Sequence, residues 1–151
     1  NEWITAQPDV IVASDGIPFL HVAAHPRGAG TFSRVLGYYV RERGALSLMD
    51  ALAKMTILPA RRLEGAAPAM RRKGRVQVGA DADLTLFDPN TIIDRSTYDR
   101  PDAPSEGIRA VLVGGTSVVS DGQLVGGVYP GRAIRGIGAG GLEDTERGGQ
   151  R

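Results

Sequence analysis

The 151-residue sequence has no cysteine, only two histidines and few aromatic side chains, with Phe, Trp and Tyr making up 5% of the chain. Without cysteine there is no disulfide and no thiolate ligand, so a metal could be held only by His, Asp or Glu. Charges of both signs nearly cancel to a formal net charge of +1, so no long-range field draws in nucleic acid or an acidic surface. No apolar run approaches the roughly 20 residues of a bilayer span, and no charged-then-apolar signal segment opens the chain. The expectation is a soluble, cytoplasmic protein with neither a membrane nor a nucleic-acid partner. An initiator Met is also missing: Asn1-Glu2-Trp3 leads within a few positions into a strand-like run, which reads as a segment of something longer.

What is present centres on residues 8–36. Val10-Ile11-Val12-Ala13 is short, apolar and β-branched, the pattern of a strand buried on both faces. Ser14-Asp15-Gly16 ends it. A carboxylate where a buried parallel strand gives way to glycine sits at the edge where α/β barrels collect catalytic groups, although Asp-Gly also caps turns for purely local reasons. Residues 17–29, with Pro18, Pro26 and several small residues, read as a long loop over the barrel mouth. Thr31 then caps a helix with Phe32, Val35, Leu36 and Tyr39 on one face, closed by Gly44. Ser47, with Asp50 three residues on, caps a second helix with Leu48, Met49, Leu52 and Met55 as its stripe. Pro59 forces a break and opens a further turn through Leu63.

The character changes near Met70. Residues 75–78 and 83–88 alternate polar and apolar around Gly79-Ala80-Asp81-Ala82, which predicts a β-hairpin. Residues 89–107 read as an irregular connection. Residues 108–113 and 116–120 are two strands joined through Gly114-Gly115, and Asp121-Gly122 makes another tight turn. The glycine-rich, charged residues 136–151 have almost nothing to bury and are expected to be disordered. A complete eight-stranded α/β barrel needs about 250 residues, so the first half can supply only a last strand and its helices.

Several groups of residues could carry chemistry. His21 and His25, at i, i+4 spacing, would make three protein ligands with Asp15, the number a catalytic zinc needs. Pro26, Gly28 and Gly30 weaken the helix that this spacing requires, which favours packing or hydrogen-bonding histidines, and no metal ligand is assigned. Arg27, in the loop overhanging Asp15, could grip a carboxylate in bidentate fashion or simply be a solvated arginine. The basic group Arg61, Arg62, Arg71, Arg72, Lys73 and Arg75 lacks interleaved aromatics and reads as a solvated face. Asp81, Asp83 and Asp88 do not reproduce a calcium-binding loop and read as turn formers.

Taken together, Ala13-Ser14-Asp15-Gly16, His25-Pro26-Arg27, residues 30–37, residues 55–60, Gly74-Arg75-Val76, residues 79–84, Phe87-Asp88-Pro89, Glu106-Gly107-Ile108 and Pro130-Gly131-Arg132 resemble the C-terminal part of the N-acyl-D-amino-acid deacylases (D-aminoacylases), a branch of the metal-dependent amidohydrolase superfamily. The resemblance implies an α/β plus β chain: the last strand and helices of a (β/α)₈ barrel over residues 1–69, then part of a small antiparallel β-sandwich over 70–135. It implies zinc held by residues from earlier strands, absent from this chain, and a small-molecule N-acyl amino acid as substrate. Asp15 matches the aspartate that takes a proton from zinc-bound water and passes it to the departing amine. Arg27 matches the position that holds the free carboxylate of the substrate, and His25 belongs to the same substrate-binding block. On this reading the segment alone is inactive. A cyclic-amide hydrolase of the dihydropyrimidinase kind shares the Gly-x-x-Ala-Asp turn and is the alternative enzyme; a non-catalytic β-sandwich module or inert fragment is the alternative outside enzymology.

Overall fold

The computed structural model describes residues 2–17 and 25–136. His21 and the tail residues 137–151 lie outside the described residues. Helix α1, Glu2–Ala6, opens the chain, and Glu2 is paired with Arg43 at 2.6 Å, an arrangement in which the guanidinium holds the Glu2 carboxyl below its ordinary range. Residues 10–13 do not form the expected strand: they join no ladder, and Ile11 is exposed. A parallel strand draws its hydrogen bonds from neighbouring strands, and no parallel pair exists among the described residues. The segment is instead tied to a helix. Val12 N–H donates to the Lys54 carbonyl at 3.1 Å, and the buried Lys54 ammonium donates to the carbonyls of Val10, at 2.9 Å, and Gln7. A buried ammonium is tolerated only with such partners, so Lys54 fixes the path that ends at Asp15.

Helix α2, Arg27–Arg34, runs without a break into a π-helical stretch, Val35–Glu42. It begins four residues before the expected cap at Thr31, whose hydroxyl bonds back to the Arg27 carbonyl at 2.9 Å and caps nothing. The wider π turn brings Val35, Leu36 and Gly37 to the buried side, while Phe32 stays exposed. Gly44 ends the stretch at φ +59°. Helix α3, Leu48–Met55, has Ser47 as its N-cap, accepting from Asp50 N–H at 3.0 Å. Its buried positions are Ala51 and Lys54; Met49, expected in the stripe, is exposed. Helix α4, Ile57–Leu63, takes Pro59 in its first turn, where a missing N–H costs nothing.

Strands β1, Leu84–Phe87, β2, Ile108–Val113, β3, Thr116–Ser120, and β4, Gln123–Leu124, form one antiparallel sheet in the order β1-β2-β3-β4. The Gly114-Gly115 and Asp121-Gly122 turns form with positive φ throughout, as two-residue hairpins need. The hairpin expected between 75–78 and 83–88 does not exist. Residues 75–78 are irregular with Val76 and Val78 exposed, and β1 pairs with β2, Leu84 opposite Leu112. Alternation marks a strand-like face but not its partner. Asp83 instead accepts from Gly114 N–H at 2.7 Å and pairs with Lys73, which also meets Asp81 at 3.0 Å. Asp88 accepts from Asn90 N–H at 2.9 Å. All three acids therefore act in turns or ion pairs. The basic group is likewise partly paired, Arg72 with Asp81 and Arg75 with Glu64.

The halves meet at Ile92, 2% exposed. Val35, Leu36, Leu46 and Ala51 surround it, with Phe87 and Ile108 of the sheet packed alongside. Two glycines let backbone approach it: a Cβ on Gly37 would stand 2.5 Å from the Ile92 carbonyl oxygen, and one on Gly107, at φ +83°, 2.5 Å from its nitrogen. Arg41 donates to the same carbonyl at 2.5 Å. None of the described helices is long and apolar enough to cross a membrane.

Replacing Lys54 by Met keeps most of the length but leaves the Val10 carbonyl without its donor and the Gln7 carbonyl with Val10 N–H alone; a loss of about 1–3 kcal/mol is expected in urea unfolding, with faster amide exchange at Val12. A second expectation concerns pH. Lys73 first, then Gly114 N–H, holds the Asp83 carboxyl below its ordinary value of 3.8, so this stabilisation is complete above that value and disappears as pH falls through the depressed folded one. Asp83 raises Lys73 above its ordinary 10.5, so that contribution is complete below 10.5 and is lost as pH rises through the elevated value. Asp83→Ala is therefore expected to destabilise at pH 7 and to cost progressively less in unfolding experiments below about pH 4.

Candidate functional site

Asp15 stands at the end of the segment that Lys54 anchors. Its φ of +47° is a left-handed conformation that Asp tolerates better than most residues, and Gly16 N–H closes a local turn on Ser14 Oγ at 3.2 Å. The turn aims Asp15 at the start of α2. Arg27 Nε donates to the Asp15 main-chain oxygen at 2.9 Å, and Arg27 Nη2 meets Asp15 Oδ2 at 2.9 Å. Gly16 lies against Gly28: a Cβ on Gly16 would be 3.1 Å from the Gly28 Cα, a tight contact that the backbone could accept only by giving a few tenths of an ångström. The Asp15 side chain is 83% exposed and that of Arg27 42%. An ion pair so exposed adds little to stability; what it fixes is the position of the carboxylate.

Why α2 starts at Arg27 follows from His25 and Pro26. Pro26 already sits at helical angles, φ −51°, ψ −26°. His25 Nδ1 accepts from Arg27 N–H at 3.1 Å and the His25 carbonyl from Gly28 N–H at 3.0 Å, which satisfies donors that a helix start leaves without partners. Because Nδ1 accepts, the neutral ring carries its hydrogen on Nε2, and this donates to the Tyr98 hydroxyl at 3.2 Å. The two rings pack edge to face, 5.1 Å between centroids. Ser96 Oγ donates to the Pro26 carbonyl at 2.9 Å and Ser105 Oγ to that of Ala29 at 3.3 Å. The irregular connection thus braces the first turn of α2.

A cavity of about 470 Å³ opens beside this turn, lined by His25, Arg27, Arg34, Asp94, Ser96 and Tyr98 among others. Arg34 pairs with Asp94 at 3.4 Å and lies over the Tyr38 ring, 4.6 Å from its centroid. The structure therefore brings Asp15 and Arg27 into contact and places His25 beside them, bonded to Arg27 through its backbone. His21 lies outside the described residues. Both ring nitrogens of His25 are engaged, and no group of three or more His, Asp or Glu able to hold a metal occurs among the described residues. The described residues do not by themselves fit a zinc site. No local sequence signal marks Tyr98, Asp94 or Ser96. They lie in a stretch with no periodicity, and Tyr98 is 73 positions from the histidine it contacts.

Residues 1–119 match the model of the amidohydrolase family, and the chain belongs to that family. Among curated relatives it is similar to the N-acyl-D-glutamate deacylase of Alcaligenes xylosoxydans xylosoxydans, 46% identical over 83% of this chain and 24% of the relative. The N-acyl-D-aspartate deacylase of the same organism is 41% identical over 87% of this chain and 25% of the relative. Its D-aminoacylase is 38% identical over 87% and 26%. Among solved structures the chain superposes on a D-aminoacylase with a TM-score of 0.78 at 38% identity, covering 89% of this chain and 27% of that one. It also matches the N-acyl-D-glutamate deacylase of Bordetella bronchiseptica complexed with zinc and a phosphonate inhibitor, TM-score 0.73 at 42% identity, over 89% and 27%. The chain thus spans about a quarter of the length of the relatives it matches.

The cap geometry yields an ordered pair of expectations for stability. His25→Ala removes an acceptor at the start of α2 and is expected to cost about 1 kcal/mol in chemical unfolding. Tyr98→Phe keeps the ring contact and loses one exposed hydrogen bond, so it is expected to cost less. A Tyr98→Phe loss larger than that of His25→Ala contradicts this account of the helix start.

Proposed function

We propose that this chain is the C-terminal portion of a zinc-dependent amidohydrolase that cleaves the linear amide of N-acyl-D-amino acids, giving a carboxylate and a free D-amino acid. In this reading residues 1–69 belong to the catalytic barrel and 70–135 to a β-sandwich, and the segment alone is inactive. The observation that carries it is the contact of Asp15 with Arg27: a carboxylate able to move a proton, beside a guanidinium able to take a substrate carboxylate, in a chain 38–46% identical to three deacylases of N-acyl-D-amino acids.

Asp15 accepts a proton from the water that attacks the amide carbonyl carbon. As the carbon–nitrogen bond breaks, the same proton passes to the amine nitrogen, so Asp15 ends in its starting state. Arg27 holds the carboxylate of the amino-acid moiety, a task suited to its planar fork of donors. His25 keeps Arg27 at the helix start. Zinc, when bound through ligands outside the described residues, supplies Lewis acidity at the carbonyl.

The full-length protein is expected to release free amine from N-acyl-D-glutamate or a related N-acyl-D-amino acid. Asp15→Asn is expected to lower kcat by about 10²–10⁴-fold, the usual worth of a positioned acid–base group. Ring opening of a dihydropyrimidine with no action on N-acyl amino acids contradicts the proposal, as does an Asp15→Asn variant with the parent kcat.

A further inference from the structure

Arginine offers five N–H groups along two usable edges. One edge of Arg27 is taken side-on by a single residue: Nε by the Asp15 main-chain oxygen and Nη2 by Asp15 Oδ2, both at 2.9 Å. Nη1 has no partner among the described residues, so no described residue occupies the end-on edge, Nη1 with the second hydrogen of Nη2. Both backbones behind the pair are constrained. Asp15 is held in its left-handed turn with Gly16 against Gly28, and Arg27 N–H is held by His25, which Tyr98 holds in turn.

We infer that Arg27 is a positioning residue that bridges Asp15 and the substrate, so that one guanidinium sets the distance from the acid–base carboxylate to the scissile amide. This rests on the function proposed above and adds selectivity to it. In an N-acyl α-amino acid the carboxylate carbon is two bonds from the amide nitrogen. With that carboxylate on the end-on edge and Asp15 on the side-on edge, a two-bond link lets the nitrogen that must receive the proton turn towards Asp15 while the carboxylate stays gripped. A β-amino acid adds one carbon–carbon bond of about 1.5 Å. The carboxylate is still gripped, but the nitrogen is displaced, and a misplacement of about 1 Å costs on the order of 10²-fold in rate. The site therefore selects α- over β-amino acid derivatives in kcat more than in KM. A guanidinium that only gripped the substrate, equally in ground and transition states, would act on KM alone.

The test uses the full-length zinc-loaded enzyme with an N-acyl-D-α-amino acid, its β-homologue, and the α-substrate with its carboxylate capped as a primary amide. For the unmodified enzyme the β-homologue is expected to have a kcat at least about 10-fold lower, with KM within about threefold; equal kcat values overturn the inference without any variant. Arg27→Ala is expected to lower kcat on the capped substrate as well, because Asp15 loses its hold, and added guanidinium ion is expected to restore part of it. Should Arg27→Ala not fold, Arg27→Lys keeps the charge without the fork and is expected to lower the same kcat. A variant that folds, with capped-substrate kcat unchanged and only KM for the free acid raised, overturns the bridge while leaving the deacylase assignment intact. An unmodified enzyme inactive on every N-acyl-D-amino acid removes the assignment itself.

Discussion

The approach of Gly16 to Gly28 is the constraint on which the site depends. A Cβ at position 16 would stand 3.1 Å from the Gly28 Cα, tight enough that the backbone would have to give by a few tenths of an ångström, and this closeness accompanies the reach of Arg27 to both the carbonyl and the carboxylate of Asp15. An exposed ion pair on two free loops would be a transient contact. Here one partner sits in a left-handed turn whose approach is tied to a buried lysine, and the other is the first residue of a helix.

The same economy of local chemistry explains what the sequence made legible. The Ser47 cap, the stop at Gly44 and the two hairpin turns at Gly114-Gly115 and Asp121-Gly122 depend on residues a few positions apart, and they form as expected. Asp15 and Arg27 could be singled out because an acid after an apolar run and an arginine after His-Pro are visible locally, and their contact at 2.9 Å joins them in space. The roles given to them remain the proposal made above.

What escaped the sequence depends on distance along the chain or on a changed period. A stripe read at 3.6 residues per turn cannot anticipate a π-helical stretch over Val35–Glu42. Thr31 looked like a cap because nothing local shows that Ser96 and Ser105, some 70 residues later, brace a start at Arg27. Residues 75–78 alternate as a strand does, yet β1 finds β2 across 20 intervening residues. Residues 10–13 have the composition of a buried parallel strand and no parallel neighbour among those described. In each case the competing partner, not the local propensity, decided the outcome.

The central claim is that Asp15 is held by Arg27 at an open, substrate-accessible rim. A crystal structure of the full-length enzyme with a phosphonate analogue of the tetrahedral intermediate tests it most directly. The account predicts Arg27 Nη2 within about 3.2 Å of Asp15 Oδ2, with the carboxylate of the analogue on the other edge of the same guanidinium. An Arg27 side chain turned away from Asp15, or an Asp15 carboxylate pointing away from the bound analogue, contradicts it.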